Sequence, residues 1–275
     1  MLPSPVHSRG LFTHLKPNLH FPCRKFTHHQ IEASTIPLAA LTAADVLYQN
    51  LNLPLPFNPT STPIPLIIYG ASSAVGSFAL QFARQSNIHP IIAIAGSGVP
   101  HVETLLDKSK GDEVLDYRVG SAELLIALKG AVGKSGGEAK HAFDAIAQKE
   151  SYITVAQALS PGGKIALVSP GTDLSTIPEG IHAESTYVGT VHGQALLGPP
   201  RQEKTGTQVG DKEFGEVILV LIKRGLEKGW FKGQPYEVRG GLEAVEGALR
   251  DLKEGKVSAK KLIFRIGDTE GAGAD

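Results

Sequence analysis

The residues of this chain whose types and spacing suit chemistry are a run of small ones between an apolar stretch and an amphipathic one. Leu66-Ile67-Ile68-Tyr69 is followed by Gly70-Ala71-Ser72-Ser73-Ala74-Val75-Gly76 and then by Ser77 to Gln85. Small side chains let backbone N–H groups approach a ligand closely. A helix starting there adds its unpaired amides and the positive end of its dipole, so the spot suits an anion such as a phosphate. In register with G-x-G-x-x-G the run reads Ala71-Ser72-Ser73-Ala74-Val75-Gly76. It keeps only the glycine needed for close helix–strand packing. Taken alone the motif is weak, because small-residue turns also join strands to helices in proteins that bind no nucleotide.

Other candidates recur at the ends of predicted strands. Pro90–Ala95 ends at Gly96-Ser97-Gly98, about twenty residues beyond the motif, where an NAD enzyme places an acid for the ribose hydroxyls. Here the next acid is Glu103. The lack of an acid beside the Ser97 hydroxyl favours NADPH over NADH, and Ser97 equally suits capping of the helix after Pro100. Tyr117 and Arg118 follow the third strand, an aromatic and a cation that suit an adenine and a phosphate, or else a half-buried edge tyrosine and a solvated arginine. Val168 and Ser169 end the fifth strand. No catalytic acid is assigned. His192, after the sixth strand, reads as a loop histidine more readily than as a catalytic group.

These positions need a scaffold. Predicted strands at Leu66–Tyr69, Pro90–Ala95, Glu113–Tyr117, His141–Ile146, Lys164–Ser169 and Thr186–Val191 alternate with predicted helices at Ser77–Gln85, Val102–Lys110, Ser121–Val132 and Ser151–Leu159. That alternation predicts an α/β fold, a doubly wound parallel sheet of Rossmann-like type, whose ligands sit at the carboxyl ends of the strands. A helix over Pro37–Tyr48 precedes it. A loop at Ala195–Gly210, helices at Phe214–Lys228 and Leu242–Lys253, and strands at Tyr236–Val238 and Leu262–Ile266 follow it.

Bulk composition narrows the function. Net charge is zero, which argues against a nucleic-acid or acidic-membrane partner, and no apolar run is long enough to cross a bilayer. Cys23 is the only cysteine, which excludes an intramolecular disulfide and a Cys-based zinc site; no metal is expected. Residues 1–31 hold no acidic residue but Arg9, Lys16, Arg24, Lys25 and several prolines. They read as a disordered or unmatched leader rather than a mitochondrial transit helix, which the prolines would break. A cytoplasmic location is expected. The folded unit is expected over residues 32–267, with a disordered tail at 268–275. No Tyr-x-x-x-Lys occurs, which disfavours a short-chain reductase. The missing acid after the second strand disfavours a methyltransferase.

Several runs together resemble the medium-chain dehydrogenase/reductases. These are Glu32 to Ala44, Tyr69 to Gly76, Lys110 to Arg118 and Lys256 to Leu262, in that order. The resemblance is strongest to the fungal zinc-independent branch, with its trans-acting enoyl reductases and quinone-reductase-like proteins. It implies an NADPH site. Gly70, Ser72, Ser73, Ala74, Val75 and Gly76 would hold the pyrophosphate, Gly96 and Ser97 the 2′-phosphate, and Tyr117 the adenosine. Val168 and Ser169 would line the nicotinamide side, and Ala259 with Lys260 would close over the cofactor. It implies hydride transfer to the activated double bond of an enoyl thioester or to a quinone-like small molecule, with a homodimer or a synthase as partner. Members of the family carry an N-terminal β-rich, GroES-like substrate domain, and only the unmatched leader precedes Glu32 here. The alternative is therefore a catalytically incompetent NADPH-binding module or partner subunit.

Overall fold

Alternation within β1 (Leu66–Tyr69) sets the layering of the molecule. Leu66 and Ile68 enter one buried cluster and Ile67 the other, because successive strand side chains point to opposite faces. The computed structural model describes residues 27–169, 172–192 and 211–271. In it β1 lies inside a six-stranded sheet with β2 (Ile91–Ala95), β3 (Glu113–Asp116), β4 (His141–Asp144), β5 (Lys164–Leu167) and β6 (His182–Ser185). The order is β3-β2-β1-β4-β5-β6 and every pairing is parallel. This is the doubly wound sheet expected from the sequence. Strand order reverses between β1 and β4, where such sheets open a crevice.

Helices cover both faces. One cluster unites β1 with α2 (Pro37–Ala44), α3 (Ala74–Gln85) and α7 (Asp211–Lys228). The other unites it with α5 (Ser121–Lys134) and α6 (Lys149–Ala156). Residues Ala39 to Ala44 are all buried, as an all-round apolar helix requires. Phe231 stacks on Phe78 with centroids 5.2 Å apart, joining the chain after α7 to α3. α1 (Thr27–Ser34) runs across residue 31, α4 (Val99–Glu103) follows β2, and α8 (Val245–Lys253) separates β7 (Tyr236–Val238) from β8 (Lys261–Ile263). Those two strands form a small parallel sheet of their own.

Several boundaries differ from the sequence expectations. The sixth strand is His182–Ser185, not Thr186–Val191, and Val188–His192 is a 3-10 helix. β6 is an edge strand with His182 and Glu184 exposed, so its pattern is polar. The apolar stretch after it buries Val191 beside Gly215 of α7 instead. The helix expected at Val102–Lys110 is displaced to α4, with Pro100 in its first turn, and Asp107 caps a separate 3-10 turn at Lys108–Lys110. α6 starts at Lys149 rather than Ser151, because Gln148 and Ser151 cap it reciprocally. The helix at Pro37–Tyr48 changes at Asp45 into a π-helix ending at Asn50. That wider turn brings the Tyr48 hydroxyl 3.1 Å from Ser86 Oγ and Asn50 Oδ1 2.9 Å from the Thr186 hydroxyl. The last strand stops at Ile263, and Ile266–Asp268 is a 3-10 turn. The leader up to Phe26 and the loop at Ala195–Gly210 lie outside the described residues. No helix among the described residues is long and apolar enough to cross a membrane.

Gly76 is where α3 meets β1. A Cβ there would lie 2.3 Å from the Gly70 carbonyl oxygen and 2.8 Å from Ala71 Cα, both backbone atoms that cannot swing aside. Gly76→Ala should therefore lower unfolding free energy by roughly 1–3 kcal/mol, the usual cost of overpacking, as measured by chemical denaturation.

Candidate functional site

The turn between β1 and α3 uses some of its amides and leaves others free. Gly70 adopts the left-handed region at φ 74°, and its carbonyl accepts the Ser73 N–H at 2.9 Å. Ala71 N–H donates to Ile94 O at 2.9 Å, and the Ser73 side chain caps α3 by accepting the Gly76 N–H at 3.1 Å. The N–H groups of Ser72, Ala74 and Val75 donate to nothing among the described residues. They sit at the positive end of α3, half exposed, beside the switch point.

Neighbouring strand ends extend this cradle in the order of the sheet. On the β2 side Gly96 is buried under the Tyr117 ring, and a Cβ on it would lie 2.7 Å from that ring. Tyr117 packs against Tyr69 at 5.9 Å and keeps 44% of its surface exposed, so a ring face remains open to stacking. Ser97 is exposed and does not cap α4; its N-cap is Gly98, which makes no side-chain bond. On the other side Val168 and Ser169 follow β5, half-buried, two strands from β1. Ala259 reaches the turn from far along the chain: a Cβ on Gly98 would lie 2.3 Å from Ser72 Cβ and 3.3 Å from Ala259 Cβ. The ammonium of the next residue, Lys260, pairs with Glu237. His192 ends the 3-10 helix after β6, and its side chain lies outside the described residues.

Charge in the crevice is partly cancelled. The sequence suggests no acid near Ser97, but parallel register sets Asp116 beside Ala95, two residues upstream. Hydrogen bonds from the Arg118 side chain and backbone hold the Asp116 carboxyl down at about 2, so it is ionised but paired, with Arg118 Nη2 at 2.5 Å. Burial, followed by the nearby Asp144 charge, pushes the Tyr69 hydroxyl up to about 12, so it stays protonated at neutral pH. His101 has its pKa lowered by burial, and its Nε2 lies 3.3 Å from the Ser77 hydroxyl.

Asp144 shapes the wall opposite the turn. Its carboxylate accepts the Ile146 and Ala147 N–H groups at 2.8 and 2.9 Å and the Ser151 hydroxyl at 2.5 Å. This ends β4 two residues before the expected Ile146 and leans Ile146 toward Gly70, where a Cβ would meet it at 2.6 Å. Burial raises the Asp144 pKa, against the lowering by those hydrogen bonds. A carboxyl whose folded pKa is raised favours the fold most when protonated. Its contribution falls as pH rises from the ordinary aspartate value through the raised one. Stability measured across that window should show this decline in the native chain and lose it in Asp144→Asn. Asp144→Ala should cost about 1–3 kcal/mol by removing the acceptor of two part-buried amides and of the buried Ser151 hydroxyl.

Sequence reasoning missed Gly98, Asp144 and Gln234. Gly98 stood inside the noted Gly96-Ser97-Gly98 run, and Asp144 inside a predicted strand. Gln234 carries no local signal, since its side chain bonds to Ser72 and Ala259, remote in sequence. A groove of about 450 Å³, lined by Thr62, His89, Lys110 and Glu113 among others, opens at the amino ends of β2 and β3. Helices present carbonyls rather than free amides at that edge, which disfavours an anion. Among the described residues no group of three metal-ligating side chains is placed to hold an ion.

No family model matches the chain. It is 43% identical over 210 residues to the trans-enoyl reductase fsr4 of Gibberella fujikuroi, covering 75% of this chain and 57% of that protein. It is 30% identical over 237 residues to the trans-enoyl reductase ACTTS2 of Alternaria alternata, covering 86% and 64%. The chain thus spans under two thirds of the length of these relatives. Its fold matches the CurF ER cyclopropanase of the curacin A pathway at TM-score 0.60 and 19% identity, over 86% of this chain and 62% of that one. It also matches an Etr1p mutant solved in complex with NADP and crotonyl-CoA, at TM-score 0.58 and 19% identity over 82% and 59%. By its sheet order, its turn and these relatives together, the chain is similar to the enoyl reductases of the medium-chain dehydrogenase/reductase type.

Proposed function

We propose that residues 32–267 form the NADPH-binding unit of an oxidoreductase that reduces the activated double bond of an enoyl thioester. The observation that carries this reading is the set of unused amides at Ser72, Ala74 and Val75 beside the β1/β4 switch point. The names of the relatives, trans-enoyl reductases, and the NADP and crotonyl-CoA of one structural neighbour support the same reading.

The residues present fit a dinucleotide. Ser72, Ala74 and Val75 offer amides to the pyrophosphate, with Gly70 and Gly76 keeping the backbone close and Ser73 capping the helix. Tyr117 offers a ring face to the adenine over Gly96, and Ser97 offers an exposed hydroxyl to the 2′-phosphate. Val168 and Ser169 flank the opposite half, toward the nicotinamide, and Ala259 borders the turn. Bound there, the reduced nicotinamide supplies the hydride. The protein's part is to hold the two reactants in line and to keep the phosphates neutralised.

The test is calorimetric titration with NADPH and NADH, together with loss of nicotinamide absorbance on adding crotonyl-CoA or a quinone. Binding with enoyl-dependent oxidation supports the proposal. Binding without turnover supports the alternative, a non-catalytic NADPH-binding module, and absence of binding defeats both. Ser97→Asp should weaken NADPH about tenfold and NADH little, because a carboxylate beside a phosphate is repelled. Equal losses for the two nucleotides would remove Ser97 from the 2′-phosphate site.

A further inference from the structure

We propose that Gln234 is a positioning residue for the nucleotide site: its buried carboxamide ties the phosphate turn to the Ala259 segment, so affinity for NADPH depends on it. The inference rests on the dinucleotide reading above.

Gln234 is 3% exposed and held from several sides. Its Nε2 lies 3.5 Å from the Ser72 carbonyl oxygen and 3.3 Å from that of Ala259. Its backbone N–H donates to the buried Thr35 hydroxyl at 3.1 Å. The residues before it are fastened too. Gly233 N–H donates to Glu32 Oε1 at 3.0 Å, and Lys232 exchanges bonds with the Gln81 side chain of α3 at 2.8 and 3.1 Å. The strap 232–234 is therefore anchored to α3 and to α1 before its side chain reaches the turn.

The direction of the amide follows from its neighbours. Both partners are carbonyl oxygens, which only accept, so the NH₂ group must face them; the flipped amide would set oxygen against two oxygens. Holding the Ser72 carbonyl fixes one side of the Ser72–Ser73 peptide plane. The N–H of that plane is held by Gly70 O at 2.9 Å. The free amides of Ser72 and Ala74 belong to the flanking peptides, so their aim depends on this plane. Ala259 adopts φ 55°, a left-handed conformation that non-glycine residues keep only where surroundings impose it. The bond from Gln234 to its carbonyl is one such restraint.

Two substitutions in the full chain separate this role from a structural one. Methionine matches the shape but donates nothing, so Gln234→Met should weaken NADPH about tenfold in calorimetry, roughly the worth of one buried hydrogen bond. Gln234→Glu should bind well only where the introduced carboxyl is protonated and donates. Its affinity relative to the native chain should fall as pH rises, while the ratio for Gln234→Met stays flat. A folded Gln234→Met that binds NADPH like the native chain overturns the inference alone. If Gln234→Met does not fold, a pH-independent ratio for Gln234→Glu overturns it. A native chain that binds no NADPH overturns the dinucleotide reading and this inference with it.

Discussion

The contact that governs this structure is the approach of the Gly76 Cα to the Gly70 carbonyl. It lets α3 start directly over the end of β1, with no side chain between helix and strand. α3 then packs against α2 along an alanine-rich, fully buried surface, and Phe231 stacks on Phe78 from the far side. Were the helix a methyl group farther out, its first amides would no longer border the crevice. The same constraint thus serves core packing and the binding surface.

Electrostatics at the crevice come more from backbone than from side chains. The cations next to Tyr117 and Ala259 in the chain, Arg118 and Lys260, are paired with Asp116 and Glu237. Asp144 is buried and fully engaged with amides and a hydroxyl. Among the described residues, what is left for an anion is the unpaired N–H groups of Ser72, Ala74 and Val75 and the exposed hydroxyl of Ser97. Fixed dipoles of this kind need no reorganisation when a phosphate arrives.

Acidic residues elsewhere act as backbone organisers. Asp112 accepts the Ile91 N–H at 2.7 Å, the Asp107 N–H at 2.9 Å and His89 Nδ1 at 2.8 Å, which sets where β2 and β3 begin. Asp116 turns back on the Arg118 N–H at 2.9 Å and ends β3. Asp144 does the same for β4. Asp116 and Asp144 thus stop their strands at the edge of the crevice, where a longer strand would crowd the turn.

Much of this was legible in the chain itself. Short aliphatic runs bounded by Gly and Pro identified β1 and β2, and the rhythm of strands and helices identified the doubly wound sheet, because burial on both faces leaves an unmistakably apolar record. The small residues from Gly70 to Gly76 marked the turn for a similar reason: close approach admits no large side chain. Tertiary structure alone decided the rest. β6 is an edge strand whose polar pattern resembles a loop, Asp116 lies beside Ala95 only through strand register, and Lys260 is claimed by Glu237 across a separate small sheet. Gln234 meets Ser72 and Ala259 only because distant segments converge on one turn. Local sequence records which faces are buried and where the backbone must bend. It does not record which remote partner satisfies a given donor, and that depends on the folded positions of all the elements together.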